Sequence, residues 1–212
     1  MNRILKPSIK LMNKLKYMQK FNLIFFIFLL PITLMMTLNI KQVNEEFNFA
    51  KKQRMGLEYN IALRNLIQHV QQHRGLTAVY IGGKTDLKES ILLKEAEIGS
   101  DFKKVNRINN DYKDILKVDE KWQSINNQWP SIKALLQSTD LKEAYDSHTK
   151  FIAEMLDLNV LISENSGLII QNRIESHYLV DAIINKLPAL AESMGQARAI
   201  GASAASNATI RS

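Results

Sequence analysis

The chain has 212 residues, with no cysteine, four prolines and eight glycines. The lack of cysteine excludes disulfides, thiolate catalysis and thiolate zinc sites, and the scarcity of glycine and proline argues against an all-β fold. The formal net charge of +7 arises mainly from residues 1–20, which carry six basic residues and no acid. Because the remainder is nearly neutral, a nucleic-acid function is rejected.

The segment from Phe21 to Ile40 is free of charged residues and mostly apolar. About 20 such residues span a hydrocarbon core of ~30 Å. A cleaved signal peptide has a shorter apolar region followed by small residues, and the sequence LMMTLNIKQ offers no such site. We therefore predict an uncleaved transmembrane helix over 21–40. The basic stub, residues 1–20, places the N-terminus in the cytoplasm and residues 41–212 outside.

Beyond the membrane segment, apolar residues recur every three or four positions, which is typical of amphipathic helices. The first predicted helix continues to about Tyr80 and stops at Gly82-Gly83, and the second runs from about Leu87 to Leu116 with Ile115 on its apolar face. The third begins at Asp119 and is interrupted or restarted at Trp129-Pro130. The fourth is capped by Ser138-Thr139-Asp140 and weakens at Ser166-Gly167, and the last runs from Glu175 to about Ser206 with Pro188 inside. No segment shows convincing period-2 alternation. The predicted fold is therefore all-α, with one N-terminal transmembrane helix that continues into an extracytoplasmic, antiparallel helical bundle.

Two histidines have a spacing that allows metal chelation, since His69 and His73 lie four residues apart on one helix. Two histidines alone do not complete a metal site. We therefore favour a solvated His69 and a hydrogen-bonded core His73, and we predict no metal. No nucleophile elbow, phosphate loop or paired-carboxylate signature is present either. The sequence thus gives no case for an enzyme and indicates no cofactor.

Two arginines lie on or beside predicted core stripes. Arg74 lies beside the stripe of the first helix, and Arg198 falls on the predicted stripe of the last helix together with Leu187, Ala191 and Met194. A buried unpaired charge is costly. One interpretation is recognition of an anionic ligand, because the planar guanidinium matches carboxylate and oxyanion geometry. The other is an ion pair with a carboxylate of the domain, or exposure at the end of the bundle. Both remain open at this point.

Three stretches resemble the sensor region of bacterial methyl-accepting chemotaxis receptors, namely residues 55–83, 164–170 and 176–202. The segment Q-x-x-R-G at 71–75 is also similar to helical nitrate- and nitrite-sensing domains, in which an arginine binds the anion. In the second half, Pro188 and Gly201 match the receptor pattern. The resemblance implies a homodimer that binds a small, anionic ligand, and the ligand-binding residues that it implies are Arg74, His73, Gln71, Arg198 and Tyr178.

The function implied by this resemblance is the sensor portion of a transmembrane chemoreceptor in the bacterial inner membrane. The alternatives are the sensor region of a histidine kinase or diguanylate cyclase, and a membrane-anchored helical interaction module without signalling output. The sequence departs from the receptors in having IIQNR where Asp-Pro is usual. It also lacks a second transmembrane helix, a HAMP linker and a methylated coiled coil. Either the chain is the N-terminal portion of a longer product or it has lost its output, and the stop inside a helical pattern favours truncation at the C-terminus.

Overall fold

A computed structural model of the protein describes residues 9–10, 12–170 and 174–210, except for the side chains of residues 200 and 202–210. No strand occurs among the described residues, which confirms the all-α prediction. From Tyr17 onward the α-helices are α1 (Tyr17–Ile81), α2 (Lys88–Leu116), α3 (Asp119–Ala134), α4 (Leu141–Ser166), α5 (Ile174–Asp181) and α6 (Leu187–Ile210). Short 3₁₀ turns occupy Thr85–Leu87 and Leu135–Gln137, and a π-helical segment, Ala182–Lys186, lies between α5 and α6.

The chain divides into two compact units, Met1–Phe49 and Ala50–Ser212. In the described part of the chain, α1 is the helix long and apolar enough to cross a membrane. Its most apolar 18-residue window has a mean hydropathy of 2.4, and none of that window is buried. Length and composition therefore agree with the membrane segment predicted from the sequence.

In the second unit, α1 buries one face along most of its length. The buried residues recur every three or four positions, as predicted, and include Tyr59, Ala62, Leu63, Leu66, Val70, His73, Arg74 and Thr77. Tyr80, predicted on the same stripe, is half-buried. The side chains of α2, α3 and α4 complete one hydrophobic core with this face. Its large aromatic residues cluster, with the Trp129 ring centroid 5.8 Å from that of Phe102 and 6.3 Å from that of Phe151.

The ends of α4 follow the predicted signals. Asp140 is its N-cap, and its Oδ1 accepts hydrogen bonds from the backbone N–H groups of Lys142 and Glu143 at 2.9 and 3.0 Å. Gly167 ends the helix with a φ of 76°, a conformation that favours glycine because it has no Cβ. At the end of α2, Leu116 is buried instead of Ile115, which is 43% exposed. The stripe advances by four residues from Tyr112, rather than by three, because the helical repeat is 3.6 residues.

The predicted interruption at Trp129-Pro130 is wrong, since α3 continues through Pro130 to Ala134. Proline removes one backbone hydrogen bond and disfavours a helix interior. Here the α-helix ends within about one turn of Pro130 and tightens into the 3₁₀ turn, so few helical residues follow the defect. Trp129 also packs against the core, and this burial favours keeping the last turn of α3 in place.

The predicted last helix is divided in two by the π-helical segment. Pro188 occupies the first turn of α6, where its missing N–H is tolerated. Because Pro188 has no N–H to donate to the carbonyl four residues earlier, the Ile184 carbonyl oxygen is free to accept another donor. It accepts the side-chain amide Nδ2 of buried Asn159 in α4 at 3.3 Å. This bond ties the π-helical segment to α4.

The predicted core stripe of α6 is also wrong. Leu187, Ala191, Met194 and Arg198 are all exposed. The inward side instead carries Glu192, which is buried in the second unit. The sequence misled because α6 has apolar residues on its outer side and a carboxylate on its inner side, opposite to the usual pattern of an amphipathic helix.

At Gly56, α1 packs closely against Ser166 at the end of α4. A Cβ placed there would lie 2.2 Å from Ser166 Oγ and 2.3 Å from Ser166 Cβ. We expect Gly56→Ala to lower the free energy of unfolding by about 1–3 kcal/mol, because the clash outweighs the higher helix propensity of alanine. Thermal or denaturant unfolding of the detergent-solubilised chain measures it.

The matched control is Gly99→Ala in the interior of α2, where an added Cβ meets no atom within 4 Å. This variant keeps the propensity gain without the clash and should be more stable by roughly 0.5–1 kcal/mol. Equal effects of the two substitutions would contradict the close packing at Gly56.

Candidate functional site

Arg74 of α1 forms an ion pair with Glu192 of α6, and both side chains are buried. Arg74 is 2% exposed and Glu192 is 8% exposed. The guanidinium Nη1 donates to Glu192 Oε1 at 2.5 Å, and Nη2 donates to Oε2 at 3.2 Å. Nη1 also donates to Thr149 Oγ1 of α4 at 3.0 Å. This two-pronged contact is the strong form of an arginine–carboxylate pair.

Two side-chain amides complete the surroundings of the Glu192 carboxylate. Gln71 Nε2, one turn before Arg74, donates to Oε2 at 2.8 Å, and Gln196 Nε2 donates to Oε1 at 2.7 Å. Burial alone raises the pKa of Glu192, but the hydrogen bonds from Arg74, Gln196 and Gln71 and the charge of Arg74 lower its pKa overall. The carboxylate is therefore ionised at neutral pH, as the acceptor of four hydrogen bonds.

An aromatic ring also lies close to the guanidinium. The Arg74 Cζ atom lies 5.2 Å from the centroid of the Tyr145 ring, within the range of a cation–π interaction. Within the described part of the chain, the buried hydroxyl groups of Tyr145 and Thr77 have no hydrogen-bond partner. Burial also raises the pKa of Tyr145, so this hydroxyl keeps its proton.

A second polar cluster lies beside the first and is centred on His73. His73 Nδ1 lies 2.9 Å from His148 Nε2, and His148 Nδ1 lies 2.7 Å from the Ala144 carbonyl oxygen. A carbonyl accepts only, so His148 Nδ1 carries the proton and its Nε2 accepts from His73 Nδ1. His73 Nε2 is then a bare acceptor, which explains why no hydrogen bond to it is found in the described structure.

A carboxylate oxygen of α2, which is also an acceptor, lies near this bare nitrogen. Glu95 Oε1 lies 3.6 Å from His73 Nε2, while Glu95 Oε2 pairs with Lys133 Nζ at 2.7 Å. Burial, with a contribution from the charge of Lys133, lowers the pKa of His73 to about 4. Burial likewise lowers the pKa of His148 to about 4. Both imidazoles are neutral at physiological pH.

The structure brings together only some of the residues singled out from the sequence. Arg74 and Gln71 meet on Glu192. His73 points into the second cluster and donates to His148 rather than toward Arg74. Tyr178 is 68% exposed, and Arg198 is exposed on α6; among the described residues, neither forms a hydrogen bond with Arg74. His69, expected to be solvated, is partly buried and pairs with Asp101 at 2.6 Å.

The sequence analysis missed Glu192, Gln196, Thr149 and Tyr145. One signal for Glu192 was available, because it is the only acidic residue after Asp181. A lone carboxylate on a helix that is otherwise free of acids suggests a specific partner. For metal binding, the described residues contain no group of three or more histidine and acidic side chains that could hold an ion.

Comparison with protein families identifies the domain. The profile of a family described as nitrate and nitrite sensing matches residues 65–211, well over half of the chain. The chain belongs to this family. No curated protein and no solved structure matches it. The match includes Arg74 and Glu192 of the first cluster and His73 and His148 of the second, so both polar clusters belong to the nitrate- and nitrite-sensing domain. Membership of this family identifies residues 65–211 as a sensor domain and does not specify the output to which the sensor is coupled.

The neutral, buried histidines predict how the stability of this sensing domain changes with pH. The ordinary histidine pKa is about 6.5, and folding lowers it to about 4 at His73 and His148. Between these values the unfolded chain binds more protons, so stability falls as pH drops from 6.5 toward 4, by up to about 1.4 kcal/mol per unit for each histidine. Unfolding curves across this range, compared with those of His148→Gln, isolate the contribution, and the variant should lose less stability.

The control for this measurement is His177→Gln, since His177 is exposed. The plot of its unfolding free energy against pH should run parallel to that of the unchanged protein. Carboxylates also titrate in this range, but they are common to all three proteins. If the free energy of unfolding of His148→Gln falls with pH as steeply as that of the unchanged protein, His148 is not buried in its neutral form.

Proposed function

We propose that this chain is the sensor portion of a transmembrane receptor, and that it binds nitrate, nitrite or a similar small planar oxyanion at Arg74. The observation that carries the proposal is the buried guanidinium, which already holds a planar two-oxygen anion with help from Gln71 and Gln196. A carboxylate, nitrite and nitrate are all flat and place a single negative charge on oxygens attached to one central atom. Donors arranged for the first therefore suit the other two.

Among the residues implied by the resemblance, Arg74 and Gln71 are the proposed anion ligands. His73 supports Arg74 from the adjacent cluster and does not offer a donor to the anion. Arg198 and Tyr178 lie on exposed surface in this structure. We propose that Arg198 and Tyr178 take part in anion binding only if a second copy of the chain covers that surface.

The exposed surface of α5 and α6 supports a homodimer. Apolar residues recur there every three or four positions and are all at least 37% exposed: Leu179, Ile183, Leu187, Leu190 and Met194. An apolar stripe of this kind marks an interaction surface, and closed twofold dimers are the commonest assemblies. Sedimentation of the detergent-solubilised protein that gave a monomer would contradict the dimer.

The finer function that we propose is chemoreception in the bacterial inner membrane. Anion binding would be passed across the membrane to a signalling part, as in methyl-accepting chemotaxis receptors. A histidine kinase or a diguanylate cyclase could receive the same sensor, because the sensing domain is compatible with each output. In all three cases the domain binds and signals and does not catalyse.

The membrane topology can be tested directly. We expect residues 1–20 in the cytoplasm and 41–212 outside, because the six basic residues of the stub are retained on the inner side. Reporter fusions at Lys10 and Lys84 should report opposite compartments. The same compartment at both positions would refute this orientation.

The anion site is tested by removing Arg74 together with its partner. In Arg74→Gln/Glu192→Gln no unpaired charge is buried, so thermal stability should stay close to that of the unchanged protein. Nitrate and nitrite affinity, measured by titration calorimetry, should fall by about tenfold for each 1.4 kcal/mol of lost contacts, and at least tenfold in total.

The matched control for charge is Arg64→Gln, an exposed arginine on the same helix. It removes one positive charge without touching the cluster and should bind the anion normally. If the Arg74→Gln/Glu192→Gln protein is stable and binds nitrate as well as Arg64→Gln does, Arg74 is structural and the proposed site is wrong.

A further inference from the structure

We propose that the Glu192 carboxylate is a tethered occupant of the anion site, which an incoming oxyanion displaces, and that its departure releases α6 from α1. This inference rests on the proposed function at Arg74 and adds its regulation. It makes Glu192 an internal competitor and the anion a trigger for helix movement.

The site is full in this structure. Both terminal nitrogens of Arg74 donate to Glu192, and so do the amides of Gln71 and Gln196. With Arg74 only 2% exposed, a soluble anion cannot contact the two terminal nitrogens while Glu192 remains on them. Binding at Arg74 therefore requires Glu192 to leave, because the same N–H groups cannot satisfy two anions.

The exchange conserves charge and hydrogen bonding inside the cluster. Removing Glu192 without a substitute would leave the Arg74 cation buried and unpaired, which is strongly unfavourable. A nitrate or nitrite ion in its place restores the pairing and accepts the same donors. The Tyr145 ring lies near the guanidinium, and its buried hydroxyl, which has no partner among the described residues, is an additional donor in the neighbourhood. The freed carboxylate is then hydrated outside the cluster.

The effect on α6 follows from how this helix is held. Among the residues of α6 whose side chains are described, Glu192 is the one that is buried. Of its described apolar side chains, the larger ones, Leu187, Leu190 and Met194, are exposed within the second unit. The described part of α6 is therefore attached to the domain mainly through polar contacts at Glu192 and not through an apolar core. Elements with few buried apolar contacts are the ones that open locally.

Removing the tethered competitor should strengthen anion binding. The apparent affinity of a site is reduced by the fraction of time for which it is available, and a tethered group has a high effective concentration. Glu192→Gln keeps the size and a hydrogen-bonding carbonyl but loses the charge that pairs with Arg74. We expect the dissociation constant for nitrate to fall at least about tenfold. Titration calorimetry of the full chain in lipid nanodiscs, in chloride-free buffer, measures it.

The matched control is Glu143→Gln on α4. It removes one negative charge at an exposed position of the same domain, so it reports any general electrostatic gain for an anion. Its nitrate affinity should stay within about twofold of the unchanged protein, because exposed charges are screened. Thermal unfolding of each variant confirms that the compared proteins are folded, and Glu192→Ala provides a second variant if Glu192→Gln is unstable.

Helix release has its own readout. Because the chain has no cysteine, spin labels at Gln68→Cys on α1 and Ser193→Cys on α6, both exposed positions, give an uncontaminated distance distribution. Nitrate should shift or broaden this distribution in the otherwise unchanged protein. Part of the same change should already be present in Glu192→Gln without nitrate.

The outcomes separate the two proposals. Tighter binding by Glu192→Gln, together with a nitrate-induced distance change, supports displacement. Unchanged or weaker binding by folded Glu192→Gln, or binding without a distance change, overturns displacement and leaves the anion site standing. Nitrate binding that survives in the Arg74→Gln/Glu192→Gln protein overturns the site itself. Absence of nitrate and nitrite binding in both the unchanged protein and Glu192→Gln overturns both proposals.

Discussion

The pairing of Arg74 with Glu192 is the constraint on which the arrangement of the last helix depends. Burying two opposite charges costs solvation on each side, and the cost is recovered only when the remaining donors and acceptors are satisfied. Thr149, Gln71 and Gln196 supply those contacts from three helices. Well-packed apolar side chains would stabilise the same helix contact as well or better. The exchange that we propose gives a reason for keeping charge here, since a soluble anion can replace a carboxylate but cannot replace a leucine.

The domain has an apolar part and a polar part, and α1 runs through both. From Tyr59 to Val70 its buried face is almost entirely hydrophobic, whereas from His73 to Thr77 it carries a histidine, an arginine and a threonine. The polar part consists of two clusters with different electrostatic character. The His73 cluster is neutral at its centre and connects four helices through His73, Glu95, Lys133 and His148, and the Arg74 cluster holds a compensated charge. The His73 cluster restricts how the backbone at Arg74 can move, because His73 and Arg74 are adjacent on the same helical turn.

The sequence was sufficient for the buried stripes of α1 to α4, because their apolar residues recur at helical spacing, and for both ends of α4, where Asp140 and Gly167 are strong local signals. It was insufficient for the end of α3 at Pro130 and for the inward face of α6. At Pro130 the burial of Trp129 outweighs a local preference, and in α6 the apolar stripe faces outward. Arg74 was identified as a residue needing a partner, but its partner is 118 residues away. Such a pairing depends on helix rotation, which periodicity leaves undetermined when the inward residue is a carboxylate.

The π-helical segment before α6 sets that rotation. A π turn contains one more residue than the α turn it replaces, so the turn acts as a spacer between α5 and α6. Deleting one residue from Ala182–Lys186 would turn every later side chain by about 100° about the helix axis and shift it by about 1.5 Å. Glu192 would then leave the inward side of α6. In this part of the protein the number of residues, more than their identity, is what natural variation has to preserve.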